Sequence, residues 1–261
     1  MKYNKIVIKV GSSSLTYKNG ALNLRFLDKF ARILADINNS GTQVVLVTSG
    51  AVSAGRGKLG LTGTLDIPHK QAAAAVGQCE LMSIYDRFFC EYGQTVGQVL
   101  LTRTVLENEI SYNNAKNTFD SLLSLGVIPI VNENDTVSTS ELEALRSLGD
   151  NDRLSAIVAA MIGAQALVIM SDVDGLYDSN PKVNPDAKLI SEVSEITDEI
   201  RALCDGKSEQ GTGGMASKLE AAETAYKEGF DFYIINSSKP DSIYDVMDGK
   251  SAGTCFRGRK K

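Results

Sequence analysis

Short apolar runs recur along the chain and are separated by segments whose apolar residues have a helical spacing. The apolar runs predict buried β-strands over residues 5–10, 43–48, 95–101, 127–131, 166–171 and 231–235. The helical spacing predicts α-helices over residues 23–38, 68–91, 112–125, 152–162, 195–203 and 215–228. Because strands and helices alternate, the pattern indicates an α/β fold in which helices cover both faces of a mostly parallel sheet.

Length and composition favour one compact unit with a large core. The chain has 261 residues, and 43% of them are hydrophobic. Two polar, turn-rich segments interrupt the alternation, at 132–152 and 172–185, and the second is the softest candidate for a boundary between lobes. The first follows the end of a predicted strand, which is where open α/β sheets usually bind ligands.

The charge balance argues against nucleic-acid and membrane partners. The formal net charge is -5, so no general basic field surrounds the chain. The basic cluster at residues 257–261 is expected to be a solvated terminus rather than an RNA-contacting tail. The longest nearly apolar run, residues 156–170, is shorter than the ~18 residues that a membrane span needs.

Cysteine usage and the first residues favour a cytoplasmic location. The four cysteines form no CxxC pair, so neither a disulfide framework nor a zinc site is indicated. Lys9 interrupts the apolar residues of the first predicted strand, so we expect no secretory signal. The sequence therefore predicts free thiols in the cytoplasm and no metal site built from protein ligands.

Several common catalytic devices are missing from the sequence. The single histidine, His69, precedes an alanine-rich helix and is expected to be a helix-start residue near the surface. The sequence contains neither a GxSxG elbow nor a Walker-type Gly-Lys-Ser/Thr loop. Acyl transfer by a serine triad and nucleotide hydrolysis on a standard P-loop are therefore disfavoured.

Two lysines stand where a phosphate could bind. Lys9 lies in a strand of Ile and Val and leads into the turn at residues 11–14; an unpaired buried ammonium is costly, so Lys9 is either exposed or paired with an anion. Glycines 211, 213 and 214 alone would indicate only a turn. Ser217 and Lys218 at the start of the next helix favour a phosphate site instead.

Two polar clusters complete the candidate chemistry, at residues 132–135 and 149–152. An aspartate in the second cluster is a good helix N-cap, which accounts for one acid. A cap does not account for two acids with an amide, nor for the first cluster. Together these side chains offer acceptors for an ammonium and donors for a carboxylate, and one aspartate is free to hold the two lysines in position.

With these motifs, the chain resembles the glutamate 5-kinase family of the amino acid kinase superfamily. The resemblance covers essentially the whole chain. Its motifs are KVGS (9–12), VTSGAV (47–52), KQAAAAVGQ (70–78), NEND (132–135), GDNDRLSA (149–156), SD (171–172) with GLY (175–177), and GTGGM (211–215). The segment at 70–78 separates this family from relatives that act on acetylglutamate, aspartate, carbamate or uridine monophosphate.

The resemblance implies a role for each site residue. Lys9 and Lys218 would flank the γ-phosphate of ATP, and Asp152 would orient them. The implied glutamate-binding residues are Ser49, Gly50, Ala51, Asn134, Asp135 and Asn151. The implied ATP-binding residues are Lys9, Gly11, Ser171, Asp172, Gly211, Thr212, Gly213, Gly214, Met215 and Lys218. ATP would be the co-substrate, and Mg²⁺ would be held mainly by the nucleotide phosphates.

The implied reaction is phosphorylation of the γ-carboxylate of L-glutamate to L-glutamyl 5-phosphate, the first step of proline biosynthesis. That carboxylate is already ionised at neutral pH, so no general base is needed, which agrees with the scarcity of histidine. A superfamily kinase with another acceptor, such as aspartate or a nucleoside monophosphate, is an alternative. A non-catalytic amino-acid sensor is another, against which Lys9, Lys218 and Asp152 argue together.

The family also implies an architecture and a regulation. We expect a three-layer αβα sandwich forming a single amino acid kinase domain, with a glutamate-binding lobe at about 1–170 and a nucleotide-binding lobe at about 171–261. No C-terminal PUA domain is expected. Feedback inhibition by L-proline at or overlapping the glutamate site, and assembly into a homodimer or homotetramer, are implied by the resemblance. No nucleic-acid or membrane partner is expected.

Overall fold

The computed structural model describes residues 1–137, 151–181, 183–204 and 214–259. The chain forms two compact units: a middle unit, Val10–Asn151, and a terminal unit made of Met1–Lys9 and Asp152–Lys261. The units divide between Asn151 and Asp152, whereas loop composition had suggested a boundary near residues 172–185. Loop composition could not reveal that the first strand packs with the C-terminal part of the chain, because that packing is made by residues remote in sequence. The division into a glutamate-binding lobe at about 1–170 and a nucleotide-binding lobe at about 171–261 stays a prediction.

The middle unit contains most of the helices. Strand β1, Lys5–Val10, carries the chain into it. The elements that follow are α1 (Ser12–Leu15), α2 (Leu24–Asn39), β2 (Gln43–Val47), α3 (Ala51–Leu59), α4 (Ile67–Glu91), β3 (Val96–Leu101), α5 (Arg103–Glu107), α6 (Glu109–Ser124) and β4 (Ile128–Glu133). Strand β4 lies between β3 and β2 and is parallel to both, with Ile130 opposite Leu46.

The long helices of this unit follow the sequence pattern. Helix α2 buries the apolar face that contains Leu27, Phe30 and Leu34, and Asn23 caps its N-terminus by accepting a hydrogen bond from the Phe26 N–H. Helix α4 is capped by Asp66, and His69 lies exposed in its first turn, as predicted. Both helices therefore begin within a residue or two of the predicted positions.

Helix α3 was not predicted, because its glycines lower the helix propensity of a short segment. Close packing against α4 compensates for that propensity. A Cβ atom on Gly55 would lie 1.8 Å from the carbonyl oxygen of Ala73, and one on Gly77 would lie 1.8 Å from the carbonyl oxygen of Ala51. The glycines thus let the two helix backbones touch, and α4 lies directly against the first turn of α3.

The terminal unit is built on a sheet that contains β1. Its other elements are α7 (Asn151–Ile162, of which Asn151 belongs to the middle unit), β5 (Ala166–Ser171), β6 (Glu192–Val193), α8 (Asp198–Cys204), α9 (Met215–Glu228), β7 (Asp231–Asn236), α10 (Ser242–Met247) and β8 (Thr254–Phe256). The strand order is β1-β5-β7-β8-β6. Strands β5 and β7 are parallel, and β8 is antiparallel to β7. The short strands β6 and β8 were not predicted, since so few residues carry no clear periodicity.

The C-terminal segment is attached to the sheet more firmly than predicted. Arg257, expected in a solvated tail, donates hydrogen bonds to Asp231 over 3.0 Å and to Glu192 over 2.6 Å. Asp231, at the start of β7, also accepts a hydrogen bond from the Tyr3 hydroxyl over 2.6 Å. The carboxylates of the sheet therefore hold this arginine. Among the described helices, none is long and apolar enough to cross a membrane.

Candidate active site

A buried cluster of Lys9, Asp152 and Lys218 lies in the terminal unit, and we call it the lysine–aspartate cluster. The Lys9 Nζ atom lies 2.6 Å from Asp152 Oδ1, and the Lys218 Nζ atom lies 3.1 Å from Asp152 Oδ2. Lys9 is 4% exposed, Lys218 6% and Asp152 0%. Lys9 is therefore a buried, paired lysine, and the alternative of an exposed lysine in an alternating strand is wrong.

Three elements place these side chains. Lys9 is the penultimate residue of β1, Asp152 the second residue of α7, and Lys218 lies in the first turn of α9. Ser217 adds a neutral contact, because its hydroxyl lies 3.1 Å from Asp152 Oδ2 and 2.9 Å from the Gly214 carbonyl oxygen and can give its single proton to either. One strand end and two helix N-termini thus bring to one carboxylate residues that are far apart in the sequence.

Among the described residues, the lysine–aspartate cluster brings two ammonium groups to one carboxylate. Burial of Asp152 favours its neutral form, but the charges of Lys9 and Lys218 outweigh burial and hold the pKa of this carboxyl below its ordinary value. Lys9 lies at ion-pair distance from Asp152 Oδ1, and the attraction between opposite charges depends little on angle. Such a cluster is suited to bind an anion.

A second cluster, which we call the amide cluster, consists of Ser49, Asn132 and Asn151 in the middle unit. The Asn151 Nδ2 atom lies 2.9 Å from Ser49 Oγ and 2.9 Å from Asn132 Oδ1, and it donates to the Thr48 carbonyl over 2.5 Å. The two amide hydrogens of Asn151 are shared among three acceptors, and the Ser49 hydroxyl, which accepts one of these contacts, still has its own proton to donate.

The amide cluster offers one acceptor and several donors to a ligand. Within the described residues, Asn151 Oδ1 accepts no hydrogen bond, so it is available to an ammonium group. Helix α3 begins directly after Ser49 and Gly50, and Gly50, with φ +89°, gives it no side-chain cap. The first N–H groups of α3 therefore lack intrahelical partners and are suited to a carboxylate. Gly50 and Ala51 contribute backbone rather than side-chain chemistry.

Asn134 and Asp135 lie in the turn after β4. The Asn134 side chain accepts a hydrogen bond from the Thr136 hydroxyl, and its backbone N–H donates to the Leu101 carbonyl over 2.8 Å. Asp135 is half-buried in the same turn. No hydrogen bond joins Asn134 to the amide cluster among the described residues, so its predicted contact with substrate rests on the resemblance alone.

The predicted nucleotide residues lie at two places in the terminal unit. Ser171 ends β5, and its hydroxyl donates to Asp172 over 3.2 Å. Gly214 precedes α9 without capping it by a side chain, and Met215 is the first residue of that helix. The N–H groups there are suited to phosphate. Gly11 precedes α1 in the middle unit, and Gly211, Thr212 and Gly213 lie outside the described residues.

Comparison with known protein families identifies the family of this chain. The Amino acid kinase family model matches residues 4–236. The chain belongs to the amino acid kinase family.

Among the amino acid kinases, this chain is similar to glutamate 5-kinases. A glutamate 5-kinase from Clostridium perfringens is 51% identical over 258 residues, which cover 98% of this chain and 96% of that protein. A glutamate 5-kinase from Listeria innocua is 51% identical, with 98% and 94% covered. One from Enterococcus faecalis is 48% identical, with 97% and 94% covered. The resemblance to glutamate 5-kinases is therefore confirmed.

Solved structures confirm the amino acid kinase fold. A UMP kinase from Ureaplasma parvum superposes with a TM-score of 0.67 at 18% identity, covering 98% of this chain and all of that one. A product complex of isopentenyl phosphate kinase from T. acidophilum gives 0.64 at 19% identity, covering 97% and 100%. At such identities the likeness shows the fold alone, and the predicted αβα class with a mostly parallel sheet is confirmed.

Two polar residues of this amino acid kinase were not assigned a role from the sequence. Asn132 joins the amide cluster, although it appeared only as part of the motif at 132–135. Ser217 contacts Asp152, although it appeared only as a neighbour of Lys218. Their positions in the quoted motifs were the available signal. Which atoms they would contact depends on helix and strand packing that the sequence pattern does not specify.

Proposed function

We propose that this chain catalyses the ATP-dependent phosphorylation of the γ-carboxylate of L-glutamate to L-glutamyl 5-phosphate, the first step of proline biosynthesis. The observation that carries the proposal is the buried lysine–aspartate cluster, in which two ammonium groups meet one carboxylate among the described residues. Its acceptor is suggested by relatives that share about half of their residues with this chain and are named for glutamate.

Charge neutralisation is the main task of the lysine–aspartate cluster in this reaction. A γ-carboxylate oxygen of glutamate attacks the γ-phosphorus of ATP, the bond from that phosphorus to the β-phosphate oxygen breaks, and ADP leaves with the electron pair. Negative charge on the phosphoryl oxygens is stabilised by Lys9 and Lys218. Asp152 is a positioning residue that holds both ammonium groups. The attacking carboxylate is already ionised, so the reaction needs no proton acceptor.

The amide cluster would bind the acceptor amino acid. Asn151 Oδ1 accepts from the α-ammonium group, and the Ser49 hydroxyl with the first N–H groups of α3 donates to a carboxylate. Asp135 and Asn134 are proposed to contact glutamate as well, on the strength of the resemblance. Because Asn151 and Asp152 are consecutive in the chain, the residue that would bind the acceptor is bonded directly to the residue that orients the lysines.

ATP would be bound by Ser171, Asp172, the start of α9 and the glycine segment at 211–214. Magnesium keeps most of its waters and binds phosphates through few protein carboxylates. In the parts of the chain that the structure describes, no three His, Cys, Asp or Glu side chains gather as a metal site. We therefore propose that Mg²⁺ enters with ATP and is coordinated mainly by phosphate oxygens and water.

Three further properties belong to this proposal. L-Proline has an α-carboxylate and an α-nitrogen like those of glutamate, so the amide cluster is the proposed site of feedback inhibition. We propose a homodimer or homotetramer, as the family resemblance implies. The cytoplasm, where ATP and glutamate are both available, is the proposed location.

The direct test is ADP release with ATP and Mg²⁺, measured with and without L-glutamate and with hydroxylamine to trap the acyl phosphate. Glutamate-dependent ADP together with γ-glutamyl hydroxamate is expected. Turnover with aspartate or a nucleoside monophosphate instead of glutamate would overturn the proposed acceptor. Binding of glutamate and ATP without any ADP release would overturn catalysis and leave a sensor.

A further inference from the structure

Gln78 of helix α4 carries a buried amide to which the proposed reaction assigns no role. It is 7% exposed and ends the segment 70–78. Its Oε1 atom accepts a hydrogen bond from Asn132 Nδ2 over 2.9 Å. Its Nε2 atom is buried without a hydrogen-bond partner among the described residues. A buried donor without a partner is unfavourable, so stability alone does not explain a glutamine at this position.

Two backbone groups fix the orientation of every amide in this chain of contacts. The Glu133 N–H donates to Asn132 Oδ1 over 2.9 Å, and a backbone N–H cannot accept. At the other end, the Thr48 carbonyl accepts from Asn151 Nδ2 and cannot donate. Asn132 Nδ2 must therefore point at Gln78, and Gln78 must present its oxygen. The unpartnered nitrogen of Gln78 is thus a consequence of the order of donors and not an ambiguous side-chain flip.

Helix α4 contacts two of the three residues whose oxygens accept from Asn151, namely Thr48 and Asn132. Gln78 and Tyr85 are seven residues apart and share one face of the helix. The Tyr85 and Thr48 hydroxyl groups lie 2.7 Å apart, in the buried interior. Gln78 contacts Asn132 in the same way at the end of β4. One helix face therefore holds the ends of β2 and β4 in the positions that Asn151 requires.

We infer that Gln78 is a positioning residue for the acceptor amino acid, acting through Asn132 and Asn151. The inference rests on the proposed function. If the oxygen of Gln78 is removed, Asn132 Nδ2 is left buried without an acceptor, and the Asn132 side chain loses one of the contacts that fix its position. The Glu133 N–H still prevents the Asn132 amide from turning over, so the side chain relieves the unpaired donor by shifting. Asn132 Oδ1 then moves away from Asn151 Nδ2, and Asn151 Oδ1 is held less well where the α-ammonium of glutamate would bind.

The central variant is Gln78→Met, which keeps the shape of the side chain and removes its oxygen. Leu81→Ala is the matched control, because Leu81 is buried one turn later on α4 and has no polar atom. Gln78→Met should raise the KM for glutamate at least about 10-fold and leave the KM for ATP within about 2-fold. Leu81→Ala should lower the melting temperature and change neither KM. Gln78→Glu keeps an oxygen for Asn132 and should restore most of the glutamate KM.

An unchanged glutamate KM in Gln78→Met, or an equal rise in Leu81→Ala, would overturn the inference while leaving the proposed function intact. Hydrogen exchange at the Asn151 side-chain amide tests the contacts without substrate. Faster exchange in Gln78→Met than in Leu81→Ala supports the inference even if the wild-type protein does not phosphorylate glutamate, and equal exchange overturns it. If Gln78→Met does not fold, glutamate titration of the wild-type protein decides: the Gln78, Asn132 and Asn151 side-chain amides should shift together, and an unmoved Gln78 resonance contradicts positioning.

Discussion

Replacing Asp152 with Asn should destabilise the protein and should be partly rescued by ATP. The substitution keeps the shape of the side chain and removes the negative charge between Lys9 and Lys218, whose Nζ atoms lie 2.6 Å and 3.1 Å from the carboxylate oxygens. All three side chains are buried, so water cannot replace the lost charge. Two ammonium groups then repel each other with only a neutral amide between them.

The expected loss follows from that burial. Removing one partner of a buried ion pair lowers the free energy of unfolding by about 3–5 kcal/mol. In a chain of this size, such a change lowers the melting temperature by about 6–20 °C. Turnover should fall at least about 100-fold, because both lysines lose the group that positions them for the phosphoryl oxygens.

The phosphate of ATP supplies the charge that Asp152→Asn lacks, which makes the prediction specific. Thermal unfolding is measured with and without MgATP for the wild type, for Asp152→Asn and for Asp231→Asn. Asp231 is a suitable control because it pairs with Lys2 and Arg257 at the start of β7, whereas Ser171 lies at the far end of the neighbouring parallel strand β5. Asp231→Asn should lose stability but keep its kcat and show the wild-type response to MgATP.

MgATP should raise the melting temperature of Asp152→Asn by more degrees than that of the wild type. An equal rise in melting temperature with MgATP in all three proteins would refute the idea that Lys9 and Lys218 bind the same phosphate of ATP. A melting temperature of Asp152→Asn equal to that of the wild type would refute the electrostatic account of the cluster itself.

Three further predictions concern Lys218, Asp135 and the pH dependence of stability. Lys218→Ala should lower kcat about 10²–10³-fold with a near-native circular dichroism spectrum, and an unchanged kcat would remove Lys218 from the reaction. Asp135→Ala should raise the KM for glutamate at least about 10-fold while the KM for ATP holds, and equal changes in both would contradict its role. The pKa of Asp152 is lowered by the two lysines, whose effect exceeds that of burial, so its contribution to stability is present above the ordinary carboxyl pKa of about 3.9 and is lost as the pH falls through the lower folded value. As the pH is lowered, the melting temperature of the wild type should therefore fall further than that of Asp152→Asn. Parallel curves of melting temperature against pH would exclude this linkage.

The main sheet strands and the long helices were predictable because each carries a strong local period. Strand β5 is apolar up to its last residue, Ser171, and α2 has a single buried face, so both were placed closely from the sequence. Helix α3 was not predicted, because its stability comes from contact with α4 through Gly55 and Gly77 and not from its own residues. The same reasoning applies to β8, which exists through pairing with β7.

The candidate site was predictable in its residues but not in its contacts. Lys9 stood out as a charge inside an apolar strand, and Lys218 as a cation at a helix start. The family resemblance implied that Asp152 orients both lysines, but the residue pattern alone could not show it, because that contact depends on how β1, α7 and α9 pack. Gln78 gave no such signal, since a glutamine in a long helix is ordinary until its orphaned nitrogen and its contact with Asn132 are seen.

The order of Asn151 and Asp152 has a chemical reason under the proposed reaction. The acceptor brings two carboxylates, and Asn151 would meet it without adding another negative charge. Asn151 supplies a neutral carbonyl for the ammonium and a neutral amide for the Ser49 oxygen. The phosphoryl group needs cations, and two buried cations need a carboxylate to hold them, which Asp152 provides. An acid at position 151 would repel the γ-carboxylate, and an amide at position 152 would leave the lysines unbalanced. The two side chains therefore cannot be exchanged without impairing both substrates, although they are adjacent in the chain and similar in shape.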